Sequence, residues 1–162
     1  MESVVDNPDR AFLERAIAES RLDIPWELTP GLAALSARLI QAHPGAVELS
    51  YEVSETAIQG NGVVAGGTLM TMLDYAMAFA VLSKLSRGQT CATTSITVNM
   101  QAAAKPSRLK VSATVERVGR QVAFARAELF DPMRELLIAS ASASFFVMAV
   151  ASTRWYRAKK FY

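Results

Sequence analysis

The residues TLMTMLDYAMAFAVLSKL, Thr68 to Leu85, are apolar around the whole circumference of a helix instead of along one stripe. Such a helix has no face to give to water and has to be enclosed. Only a sheet wrapped around it, together with a partner subunit, covers that much surface. The run is not a membrane span, because its longest apolar stretch, Leu69 to Leu82, contains Asp74 and falls short of the roughly 20 residues a bilayer requires. The 162 residues match the size of one domain, and 51% apolar against 20% charged residues is ample for a single large core.

Ahead of this helix the apolar period is two. Leu35, Ala37 and Leu39 alternate with Ser36, Arg38 and Ile40, and Val47, Leu49, Tyr51 and Val53 alternate with Glu48, Ser50 and Glu52. His43, Pro44 and Gly45 lie between them, which predicts a hairpin with Pro-Gly at the centre of a type II turn. After Gly88 the period of two returns through Thr93 to Met100 and through Leu109, Val111, Ala113 and Val115. Val118 and Gly119 mark a turn. Gln121 to Phe130 and Leu136 to Met148 read as two more strands on either side of Asp131, Pro132, Met133 and Arg134. Nearer the N-terminus, residues 7 to 20 predict a helix capped by Asn7, with Pro8 at its first position and Phe12, Leu13, Ala16 and Ile17 on one face. The stretch LDIPWELTPG reads as an irregular connection that buries Trp26. The fold class is therefore α+β, an antiparallel sheet wrapped around a long buried helix. Residues 1–31 form the helix and connection, 32–150 the main domain, and 151–162 a basic and aromatic tail that frays or packs on a subunit.

Composition removes several classes of chemistry. One cysteine, Cys91, and one histidine, His43, exclude an intramolecular disulfide, a Cys/His zinc site and a histidine-cluster metal centre. Glu2 and Asp6 stand where a secretory signal carries basic residues, so the expected location is the cytoplasm. Residues 1 to 60 hold ten acidic and four basic side chains, a balance of −6, while residues 61 to 162 hold five and thirteen, a balance of +8. That asymmetry is compatible with an anionic partner for the C-terminal part, or with ordinary solvated faces. The tail RWYRAKKFY forms no recognisable nucleic-acid or membrane motif, and neither partner is expected.

Asp74 stands out chemically. A carboxylate among the apolar residues of an enclosed helix loses several kcal/mol of hydration unless it is paired, so it is expected to be either hydrogen-bonded or a base or nucleophile with a tuned pKa. Just upstream, QGNGVVAGG brings four glycines to the start of the helix. Helix-terminal amides and the positive end of the dipole stabilise developing negative charge, and Gly66 and Gly67 let a substrate oxygen approach them.

These residues resemble the hotdog-fold acyl-CoA thioesterases, in the branch similar to the phenylacetate-degradation thioesterase. Gly62, Gly66, Gly67 and Asp74 match that branch's motif, and TTSITVNMQAAAKPSRLKVSATVERVGRQVAFARAELF resembles its pairing strands with the Gly119-Arg120 turn. The likeness covers about residues 32 to 148. Gln59 stands where the family usually has Asn, Ala65 where it usually has His, and Ala102-Ala103 where Arg-Pro is common. The resemblance implies a hotdog homodimer, or a homotetramer, that hydrolyses acyl-CoA without cofactor or metal, coenzyme A being part of the substrate. It implies that Gly66 and Gly67 of one subunit face Asp74 of the other, with Gln59 and Thr93 near the attacking group. Asn61, Gly62, Ala65, Met70, Arg117, Gly119 and Arg120 are the implied substrate-binding positions. Met70, Met72 and Met77 are candidates to line an acyl pocket, each with core filling as the alternative. Lys105, Arg108, Lys110, Arg117, Arg120 and Arg126 are candidates to meet the phosphates of coenzyme A. Two other functions are open, a non-catalytic acyl-CoA-binding or scaffold protein, which Ala65 favours, and a hotdog hydratase or dehydratase, which needs a histidine paired with aspartate. A serine hydrolase is disfavoured by the lack of a nucleophile-elbow motif.

Overall fold

The computed structural model describes residues 5–150, so the basic and aromatic tail at 151–162 lies outside the described residues. Among the described residues three α-helices and seven strands follow in the order α1 (Pro8–Ala18), β1 (Ile24–Pro25), α2 (Pro30–Ala34), β2 (Arg38–His43), β3 (Ala46–Glu52), α3 (Gly66–Leu82), β4 (Gln89–Met100), β5 (Arg108–Val118), β6 (Val122–Asp131) and β7 (Leu136–Ala149), with one turn of 3-10 helix at Glu55–Ala57. The strands form one antiparallel sheet in the order β1-β2-β3-β5-β6-β7-β4, and α3 lies against β3 to β7. This is the antiparallel sheet with a long helix against it that the alternating strands and the apolar helix predict, and the hotdog arrangement that the resemblance implies.

Side-chain size explains how the helix sits. Cross-strand partners place Ala113, Ala127 and Ala141 in one row across β5, β6 and β7, with Val115, Ala125 and Ala143 in the next. The alanines are buried, and β6 alternates strictly between buried and exposed positions. Small residues on that face let α3 come close, and its larger side chains, Met72, Leu73, Met77 and Phe79, fill the space between. Tyr51, wholly buried on β3, donates its hydroxyl to the Met72 carbonyl at 3.1 Å, and burial pushes its pKa up.

The N-terminal segment seals one side of α3. Asn7 caps α1 by accepting from the Arg10 amide at 3.0 Å, and Leu13 and Ala16 turn inward. Trp26 is fully buried, stacked on Phe79 at 4.0 Å between centroids, and its indole N–H donates to Asp9 at 2.9 Å. The connection around it is more ordered than Pro25, Pro30 and Gly31 suggest. A two-residue strand pairs with β2, and Pro30 starts a short helix, since proline suits the first turn of a helix as well as a break. The hairpin strand β2 accordingly begins at Arg38 and not at Leu35, which ends α2; Ser36 turns the chain with a φ of +49°. The Pro44-Gly45 turn has the left-handed Gly45 that a type II turn requires, at φ +85°.

Arg10 is only 4% exposed and is held by Asp6 at 2.6 Å and Glu14 at 2.8 Å. Asp6 also accepts from the Gly88 amide at 3.1 Å, and the Asn7 side chain donates to Thr90 at 2.9 Å, so α1 is fastened to the start of β4. The Arg10 guanidinium lowers the Asp6 pKa from 3.8 to about 2. Because the folded value lies below the unfolded one, this stabilisation is fully present above about pH 4 and disappears as pH falls towards 2. Asp6→Asn is expected to cost on the order of 2 kcal/mol in denaturant unfolding at pH 7, with the gap from the parent closing between pH 4 and 2. A constant gap across that range would show that the ion pair does not carry the effect.

Candidate active site around the start of α3

Gln59 to Val63 form a tight turn ahead of α3. The Gly62 amide donates to the Gln59 carbonyl at 2.9 Å, the Gln59 amide to Val63 at 2.9 Å, and Gly62 has φ +74°. A side chain with Cβ is strained at that angle, which accounts for the glycine. Gln59 and Asn61 are exposed. Ala65 occupies the N-cap position with extended backbone and supplies no side-chain cap. Its own amide is spent on Ala57 at 2.9 Å, and Gly66 and Gly67 follow as the first helical residues, where amides have no acceptor inside the helix. Beside them is a hollow of about 340 Å³ lined by Gln59, Gly66, Leu69, Met100 and the segment 101–104.

Neither glycine is demanded by packing within the chain. A Cβ on Gly67 would meet nothing within 4 Å, and one on Gly66 would make an ordinary 3.6 Å contact with Met100. Neither has a positive φ. The space in front of these amides is open, as an approaching ligand or a second protein surface would require.

Asp74 lies on the flank of α3 that the sheet leaves open in the single chain. It is half-buried, because the sheet covers α3 from one side only, and Gly67, Met70 and Thr71 are exposed along the same helical flank with Ala78 half-buried beyond. Met70 is 39% exposed, whereas Met72 and Met77 are wholly buried core residues and line no open pocket in the single chain. Thr93, on β4, donates its hydroxyl to Asp74 Oδ1 at 2.8 Å, which orients the carboxylate. Cys91, two residues earlier, is pushed up to about 12, first by burial and then by the charge of Asp74. A thiol so far from ionising is not a nucleophile at neutral pH. His43 is an exposed residue beside a turn, and among the described residues no three His, Cys, Asp or Glu side chains group as metal ligands.

The chain does not bring Arg117, Gly119 and Arg120 to this carboxylate. Arg117 pairs with Phe124, which is exposed on the face of the sheet away from α3, and the Gly119 amide closes the β5–β6 turn on Val122 at 2.8 Å. Arg108 and Lys110 are paired with Glu52 and Glu48, so the basic cluster is partly neutralised. One feature escapes a reading of motifs, the openness of β4. It is an edge strand of twelve residues, QTCATTSITVNM, with no charged side chain, and that lack is the signal the sequence carries.

Known proteins share this fold and give the chain a family. The family described as Thioesterase superfamily matches residues 61–138. A curated relative from Deinococcus radiodurans named "Putative esterase" is 33% identical over 115 residues, 67% of this chain and 77% of that protein. The crystal structure of a thioesterase family protein from Silicibacter pomeroyi has a TM-score of 0.74 and 26% identity over 87% of this chain and 99% of its own. The PaaI protein of the E. coli phenylacetic acid degradation operon has the same fold, with a TM-score of 0.73 at 18% identity over 85% and 95%. A Streptococcus mutans protein solved with acetyl-CoA bound has a TM-score of 0.63 at 19% identity over 68% and 87%. No helix among the described residues is long and apolar enough to cross a membrane.

Because nothing packs on Gly67, Gly67→Ala is expected to leave folding stability unchanged or to raise it by up to about 1 kcal/mol, the helix preference of alanine over glycine. Denaturant unfolding measures it, and a loss of more than that amount would mean that the glycine is structural.

Proposed function

The chain belongs to the thioesterase superfamily, and on that basis we propose that it hydrolyses an acyl-CoA thioester to the free acid and coenzyme A in a site completed by a second copy of the chain. One observation carries this reading. Gly66 and Asp74 lie eight residues apart on one straight helix, about 12 Å along its axis, so one chain cannot bring both to the same thioester carbonyl. An antiparallel copy laid along the exposed flank would bring the Asp74 of one chain towards Gly66 and Gly67 of the other. The uncharged edge of β4 offers unpaired backbone groups for the same contact.

The chemistry follows from the groups so arranged. Asp74, oriented by Thr93, takes a proton from water as the water oxygen bonds to the thioester carbon. Negative charge on the carbonyl oxygen is met by the Gly66 and Gly67 amides. The C–S bond then breaks and the thiolate of coenzyme A leaves, taking up the proton. Direct attack by Asp74, giving an acyl-enzyme anhydride that water then opens, uses the same groups. Gln59 can offer its amide to the water or the thioester, with Asn61, Gly62, Ala65 and Met70 along the approach. Arg117 and Arg120 are the basic candidates for the phosphates, reached around the sheet edge or from another subunit. The acetyl-CoA complex of the similar Streptococcus mutans protein supports a coenzyme A ligand.

Ala65 favours a second reading, an acyl-CoA-binding protein without turnover, because it leaves the amides of α3 with no neighbouring imidazole. Sedimentation and a panel of acyl-CoAs with a thiol reagent separate the two. The thioesterase is expected to sediment as a dimer or larger species at micromolar concentration, and Asp74→Asn to lose at least roughly 100-fold in hydrolysis with little change in melting temperature. A monomer in native buffer overturns the shared site. A dimer that binds acyl-CoA and hydrolyses none of the panel establishes the binder.

A further inference from the structure

Asp131 is the only fully buried carboxylate among the described residues. It ends β6, and its Oδ1 accepts the amides of Met133 and Arg134 at 3.0 and 3.2 Å, forming the turn into β7. Its Oδ2 is buried with no hydrogen-bond partner, and the cation facing it is Arg134, whose Nη1 lies 3.8 Å away. A carboxylate oxygen so placed favours keeping that guanidinium beside it.

The same Nη1 donates to the Ala103 carbonyl at 3.1 Å. Ala103 belongs to the segment between β4 and β5 that walls the hollow beside Gly66. Its neighbour Ala104 accepts from the Val64 amide at 2.9 Å, and Val64 directly precedes Ala65, Gly66 and Gly67. The amides of Gln101 and Ala102 are both bound to the Ile138 carbonyl, at 2.8 and 3.1 Å. The segment is thus fixed to β7 at one end and to the glycine approach at the other, and Arg134 ties its middle. Arg134 itself is 42% exposed, so cutting it back opens no hole in the core.

We propose that Arg134 is a positioning residue for the thioester site, bridging the buried Asp131 carboxylate to the Ala103 carbonyl and so holding segment 101–104 and the glycine approach in register. The kinetic consequence rests on the acyl-CoA reading above; the structural one does not. Arg134→Met keeps the unbranched stem and removes the donors, and Arg134→Lys restores a cation. Amide hydrogen exchange over residues 59–69 is expected to quicken roughly ten-fold in Arg134→Met, the scale of one lost hydrogen bond to a charged group, with β5 and β6 unchanged. For any acyl-CoA the parent hydrolyses, kcat is expected to fall by a similar factor while KM moves less, and Arg134→Lys to recover part of both effects. Exchange over 59–69 that matches the parent, or that rises evenly over the whole chain, overturns the proposal. If the parent hydrolyses no acyl-CoA, the functional reading fails and the exchange result alone decides the role of Arg134. Should Arg134→Met not fold, Asp131→Asn removes the charge facing the guanidinium and is held to the same exchange readout.

Discussion

The close seat of α3 on the sheet is the interaction on which the other features depend. It rests on the row of Ala113, Ala127 and Ala141, whose side chains are just large enough to exclude water and small enough to let the helix backbone approach. Once the helix is seated there, one flank of it is left over. That flank carries Gly67, Met70, Thr71 and Asp74, and the strand beside it is the uncharged β4. The opening of the candidate site is therefore a by-product of packing: the surface the sheet does not reach is the surface where the chemistry stands.

Much of this is legible in the residues because alternation has a single meaning in a two-layer structure. The strict period of β6 states which side faces the helix, and the Pro44-Gly45 pair states where the first hairpin turns. What is not legible has a definite cause. Apolar residues that face the core and apolar residues that face open space look alike in sequence, so the residues do not show which flank of α3 its own sheet covers and which flank, with Asp74 half-buried on it beside Thr93, the single chain leaves open. The short helix α2 is hidden because Pro30 and Gly31 are breakers in most contexts and helix starters in a few. The Arg134 bridge is invisible for a different reason. It joins residues 31 apart in the chain, and no local pattern marks either end.

The site residues divide along the same line. The glycines and Asp74 stand in a recognisable spacing because they share one helix, whose rise per residue fixes their separation. Thr93 enters through strand pairing. Arg117, on the other face of the sheet, and Arg120, in the turn between β5 and β6, show how far a charge count along the sequence is from a charge distribution in space.

Strand order also governs how the chain can be built. Although β4 follows α3 directly in sequence, its neighbour in the sheet is β7, which ends at Ala149, and four of the five strands that α3 lies against come after α3 in the chain. A ribosome therefore delivers the most apolar element of the protein before most of its supporting surface exists, with only β3 already made. Contacts of such long sequence separation close late and slowly, so α3 and the edge of β4 that pairs with β7 stay uncovered until the last strand has been made. During that interval the nascent chain presents the kind of surface that chaperones bind and that aggregation exploits. The order of the strands thus sets how long the apolar helix waits for its cover.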